Sequence, residues 1–116
     1  MATGRGRPQG GRSVPAGRPD AHDPHEVARI LNDWGWTARR GRQFSGSPDS
    51  PDVHAPDFPW FLETKHVERL TLYAAFTQAI ADCGERMPAV VHRKNHSESL
   101  ITLRLEDLLK VLKELE

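Results

Sequence analysis

The sequence holds a single cysteine, Cys83, in 116 residues, so no disulfide can form within the chain. It has no apolar run of membrane-spanning length and no apolar leader near its start, so neither a helical span nor a secretory signal is expected. A reducing, cytoplasmic setting is the expectation these absences leave. Acid is missing from the first nineteen residues, which carry Arg5, Arg7, Arg12 and Arg18. Sixteen basic and sixteen acidic residues cancel over the whole chain, so the body that follows the arginines has a net charge of minus four. A basic arm on an acidic body is a pattern that often contacts nucleic acid.

Large apolar side chains are also scarce at the start. Residues 1–20, MATGRGRPQGGRSVPAGRPD, are expected to form a disordered arm, because nothing in them offsets the entropy of ordering. Residues 21–116 are long enough for one domain. No internal repeat is present.

In that domain, Asp23 suits a helix N-cap, Pro24 the first helical position and Glu26 the reciprocal place of a capping box. Val27, Ile30, Leu31 and Trp34 then recur at helical spacing up to Gly35. Residues 36–40 read as a short strand and 41–50 as a Gly/Ser/Pro loop. PDVH and PWFLETK read as two strands joined by a short turn. Leu72, Phe76, Ala79, Ile80 and Cys83 mark a helix that Gly84 can close. PAVVHR and LITLR are two more strands, and Leu105, Leu108, Leu109, Leu112 and Leu115 define a final helix. The order α-β-β-β-α-β-β-α predicts an α/β fold, a mixed sheet flanked by helices.

Alternation along PWFLETK puts Glu63 and Lys65 on one face and Leu62 and Thr64 on the other. With Asp52 on the neighbouring strand, two carboxylates and the Thr64 carbonyl would make a hard-oxygen site of the kind Mg²⁺ prefers, with Mn²⁺ as a substitute. Such a metal activates water and shields charge on a phosphate, and a lysine beside it can orient the attacking water. Asp52, ten intervening residues and Glu63-Thr64-Lys65 resemble the PD-(D/E)xK nuclease motif, Pro51 included. Within that superfamily the chain resembles the archaeal-type Holliday junction resolvases and related small phage-encoded nucleases. Glu26 on the first helix, the GSPDSPD loop and Gln78 after the lysine match their pattern over about residues 22–112.

The resemblance implies a restriction-endonuclease-like core and Mg²⁺-dependent hydrolysis of DNA, with branched DNA as substrate. It also implies a homodimer, a phage or prophage origin, and supporting roles for Glu26 and Gln78. A nicking or restriction-like nuclease on duplex DNA is the nearest alternative, and a noncatalytic nucleic-acid-binding module is the alternative from another class.

Each residue also has a plainer reading. Glu63 and Lys65 can be a solvated strand face, Asp52 a turn residue, Glu26 only a capping partner and Gln78 a surface amide. Asp49 and Asp57 read as loop residues. Arg39, Arg40 and Arg42, and separately Arg93 and Lys94, are candidates for phosphate contact. Trp34, Trp36, Phe58, Trp60 and Phe61 read as packing residues rather than base-stacking platforms. His92 with His96, and His22 with His25, have spacings that raise zinc, but the lone cysteine offers no Cys pair and zinc is not expected.

Overall fold

The computed structural model describes residues 25–41 and 52–116, with the backbone alone at Asp52. The arm, the Asp23–Pro24 cap, Arg42, Asp49, the Gly/Ser loop and Pro51 lie outside the described residues. The elements follow the expected order: α1 (Glu26–Asp33), β1 (Arg39–Arg40), β2 (Asp52–His54), β3 (Trp60–His66), α2 (Leu72–Asp82), β4 (Met87–Arg93), β5 (Leu100–Leu103) and α3 (Leu105–Glu114). The five strands form one mixed sheet in the order β1-β2-β3-β4-β5. Only β3 and β4 run parallel, and α2 is the crossover between them.

Period-two alternation sorts the side chains to the two sides of this sheet. Leu62 is paired with Val53 on one neighbour and Ala89 on the other, and all three are buried. They pack with Ala28 of α1 and with Leu108 and Val111 of α3. Val90 projects to the opposite side and packs with Ala75 and Ala79 of α2. Those two alanines are at most 5% exposed, and their small size lets α2 settle close to the sheet. Each large apolar side chain buried in this way contributes roughly 1.5–3 kcal/mol relative to exposure.

Side chains of the connections hold the strand ends in place. The Asn32 amide brackets Ala38, donating to its carbonyl at 2.8 Å and accepting its N–H at 3.0 Å. Asp57 accepts the Thr37 N–H, which fixes the β2–β3 turn against the start of β1. Arg86 donates to the carbonyls of Ala55 and Phe58 and so ties the same turn to the entry of β4. Trp36 meets Phe58 edge-on at 4.8 Å, and Phe58 leans on the buried Trp60.

Several boundaries and faces differ from the sequence reading. α1 starts at Glu26 with His25 as its N-cap, so Glu26 is the first helical residue and not the third. Gly35 does follow the helix with φ +99, a conformation that favours glycine. β1 shrinks to two residues at the sheet edge. Trp34, expected to pack, is 46% exposed, because the helix turns it past the edge of the core. Ile80 is likewise exposed, since Ala75 and Ala79 set the buried face of α2. On α3 the inward residues are Leu108 and Val111, while Leu105, Leu109, Leu112 and Leu115 are about half or more exposed. Among the described residues no helix is long and apolar enough to cross a membrane.

Candidate active site

Glu63 sits in the middle of β3, the central strand, and is 0% exposed. Its neighbour on the same face, Lys65, places Nζ 3.9 Å from Glu63 Oε2 and keeps 15% of its side chain exposed. The backbone of Asp52 pairs directly with Glu63 in the antiparallel register of β2 and β3. Thr64, between the two charged residues, is buried on the other face.

Burying a carboxylate costs several kcal/mol unless charge and hydrogen bonds offset the lost hydration. An ion pair two residues apart on one strand ties no distant elements together. A carboxylate sealed on the central strand beside a partly open ammonium is the kind of buried ionisable group that is a candidate for chemistry.

The sheet brings other polar groups to this side. Lys65 pairs in register with His92 of β4. The His92 ring nitrogen lies 3.0 Å from the Thr102 hydroxyl, and burial pushes its pKa below the ordinary imidazole value. Sequence reasoning weighed His92 only as a zinc ligand. Its place beside Lys65 depends on the parallel β3–β4 alignment, although alternation within PAVVHR already separates it from Arg93. Val53 takes the core face of β2, so His54 and its partner Arg39 fall on the Glu63 side, where both are exposed. Gln78 is half-buried on α2, the helix that covers this side.

Glu26 and Arg93 are elsewhere. Arg93 shares its face with Ala89, so it projects towards α1 and α3, and its Nε meets Glu26 Oε1 at 3.3 Å. Both side chains are largely buried, and Arg93 also donates to the Ser97 carbonyl. The sequence placed Arg93 with Lys94 in a surface patch. In the structure Lys94 alone is exposed there, and Arg93 clamps α1 to the end of β4. Arg40 is exposed next to Arg39 on the edge strand.

A cavity of about 290 Å³ opens near the carboxyl ends of β3 and β4, with Val67, Glu68, His92, Arg93, Lys94 and Ser97 among its walls. Its rim is braced across the sheet. His66 contacts Asn95 at 3.0 Å, and the Asn95 N–H donates to Glu68 at 2.6 Å. Val67 N–H bonds the Arg93 carbonyl. The turn at its mouth closes from Ser97 N–H to Lys94 carbonyl, with His96 at φ 63.

No group of three His, Cys, Asp or Glu side chains among the described residues is placed to hold a metal ion. The side chain of Asp52 lies outside that description. The donor set still fits a hard cation. A buried carboxylate on the central strand is opposed in register by a second acidic residue and flanked by a lysine. Oxygen donors of this kind suit Mg²⁺ or Mn²⁺, and thiolates, which would favour softer metals, are absent from this set.

The chain matches no protein-family model, no curated protein and no solved structure.

Proposed function

We propose that this protein is a metal-dependent endonuclease that hydrolyses phosphodiester bonds in DNA, with branched DNA such as a four-way junction as its substrate. The observation that supports this most is the buried Glu63 carboxylate beside Lys65, with Asp52 opposite it in register. Directly opposed positions on antiparallel strands lie about 5 Å apart, close enough for two acids to share one cation. The resemblance to PD-(D/E)xK nucleases, drawn from Pro51, Asp52, Glu63 and Lys65, assigns the same residues.

In this reading Asp52, Glu63 and the Thr64 carbonyl hold Mg²⁺ or Mn²⁺. The bound cation supplies Lewis-acid polarisation of the scissile phosphate and neutralises charge that grows on it. The Lys65 ammonium donates hydrogen bonds to the attacking water and to the phosphate oxygens, orienting the one and offsetting charge on the other. Its partial exposure leaves that ammonium reachable from outside. Arg39, exposed on the Glu63 side of the sheet, and Arg40 beside it bind flanking phosphates, with Lys94 at the other rim. Arg42 extends the same basic run. Gln78 lines the site from α2, and Glu26 acts at a distance by fixing Arg93 and the end of β4. Contacts to phosphate and to DNA shape carry no base sequence, so the enzyme reads structure rather than sequence. A two-fold dimer, which the resemblance implies, would present two such sites to opposed strands.

The test is cleavage of a labelled four-way junction and of the matching linear duplex, in Mg²⁺ or EDTA, by wild type and Asp52→Asn. Cutting of the junction alone, dependent on Mg²⁺ and lost in the variant, is the expected result. Cutting of both substrates would make the protein a general duplex nuclease. Tight binding with no cutting in any metal would overturn the catalytic reading.

A further inference from the structure

α3 is an amphipathic helix with two apolar sides, and the sheet uses only one of them. Leu108 and Val111 pack on the core, next to Leu103. Leu105 at 68%, Leu109 at 50% and Leu112 at 49% exposure form a second stripe, continued at the helix end by Leu115. Ile101, 46% exposed, lies on the same side of the sheet at its β5 edge. A contiguous apolar surface of this kind on a small domain marks an interaction site.

The charges beside the stripe identify what covers it. Spacing of three and four residues places Glu106 and Lys113 along the outer flank of Leu109, one turn to either side of it. Turned end for end about Leu109, the helix matches itself. Leu105 of one copy meets Leu112 of the other, Leu109 meets Leu109, and Glu106 meets Lys113 twice, the lysine exchanging its exposed intrachain partner Glu116. A surface that is complementary to itself under a two-fold rotation is the requirement for an isologous dimer.

Other occupants fit poorly. The chain outside the described residues, 1–24 and 42–51, has Met1, Val14 and Phe44 as its only large apolar side chains besides proline, too few to cover the stripe. An anionic bilayer would be repelled, since residues 105–116 carry four acids against two lysines. We infer that two copies of this chain associate through α3, with the helices antiparallel about a two-fold axis at Leu109. The two-fold dimer is the one the proposed function invokes and the surface is the new element; it is read by mass and cross-linking, so its failure is distinguishable from a failure of cleavage.

The experiment is sedimentation equilibrium of the full chain over the micromolar range, with circular dichroism as a check on folding. Wild type is expected to dimerise, and Leu109→Glu to weaken the dimer by at least about tenfold, or ~1.4 kcal/mol, with an unchanged spectrum. Glu106→Lys and Lys113→Glu should each weaken it, and the two together should restore it. In a Cys83→Ser background, Leu109→Cys should cross-link to itself under mild oxidation, whereas Leu105→Cys should not. A wild type that is monomeric throughout would overturn the inference. So would a dimer indifferent to Leu109→Glu, charge reversals that do not compensate, or self-cross-linking at Leu105→Cys as efficient as at Leu109→Cys.

Discussion

Among the described residues, two buried acid–base pairs lie on opposite sides of the sheet, and they are built differently. Glu26 and Arg93 come from residues 67 positions apart, meet at 3.3 Å and leave 12% and 7% of their side chains exposed. The pair joins α1 to the end of β4, and Arg93 spends another hydrogen bond on the turn that follows. Glu63 and Lys65 are neighbours on one strand, 3.9 Å apart, with the acid sealed and the base open. The first pair has the geometry of a clamp. The second lies within one strand, and it places an ammonium where an outside ligand can reach it. Burial alone does not separate a structural ion pair from a reactive one.

That contrast is sharpest when each pair is altered. Lys65→Arg, which keeps a cation beside the buried Glu63 carboxylate, should lower metal-dependent cleavage by ~10²–10⁴-fold while leaving the melting temperature near that of wild type, measured on the same preparation. A variant that also unfolds would make Lys65 structural. Glu26→Ala should do the reverse in stability, since it removes the carboxylate that offsets the charge of a buried guanidinium. The expected loss is about 3–5 kcal/mol, a large share of the ~5–15 kcal/mol that holds a typical domain together. Urea unfolding reads this directly, and a midpoint unchanged from wild type would contradict the clamp.

The fold order was readable because each element carries its own signal. Helical spacing marks Val27 to Leu31 and Leu72 to Ala79, and alternation marks PWFLETK. The face shared by Glu63 and Lys65 followed from period two and needed no structure. The register of Asp52 against Glu63 did, because the five-residue connection 55–59 between β2 and β3 is too long for its sequence alone to fix the pairing. Arg93 was misplaced for a related reason. A basic residue at a strand end reads as surface until its partner is known, and Glu26 is 67 residues away. The inward face of α3 was illegible because leucines occupy more of the helix than one core can cover. Only packing shows that Leu108 and Val111 are the ones used.

Smaller effects should separate the rims of the site. Arg39→Ala, on the Glu63 side, is expected to weaken junction binding and reduce the log–log salt slope by about 1, because one phosphate contact is lost. Titration of binding against salt checks it, and an unchanged slope would remove Arg39 from the interface. His92 gives the smallest effect. Burial lowers its pKa in the fold, so the unfolded chain takes up the proton first as pH falls. Stability should therefore be full above about pH 6.5, the ordinary imidazole value, and decline below it until the lowered folded pKa is passed. His92→Gln should flatten that part of the profile in pH-dependent melts, and a profile of unchanged shape would rule the residue out as its source.

The central claim is that Glu63 is buried for chemistry and not for the fold. The most direct measurement is Glu63→Gln, assayed for Mg²⁺-dependent junction cleavage and for thermal unfolding with and without Mg²⁺. Cleavage should vanish, the metal-free melt should match or exceed that of wild type, and Mg²⁺ should stabilise wild type alone. A variant that loses several kcal/mol of stability, or one that still cleaves, would contradict the claim.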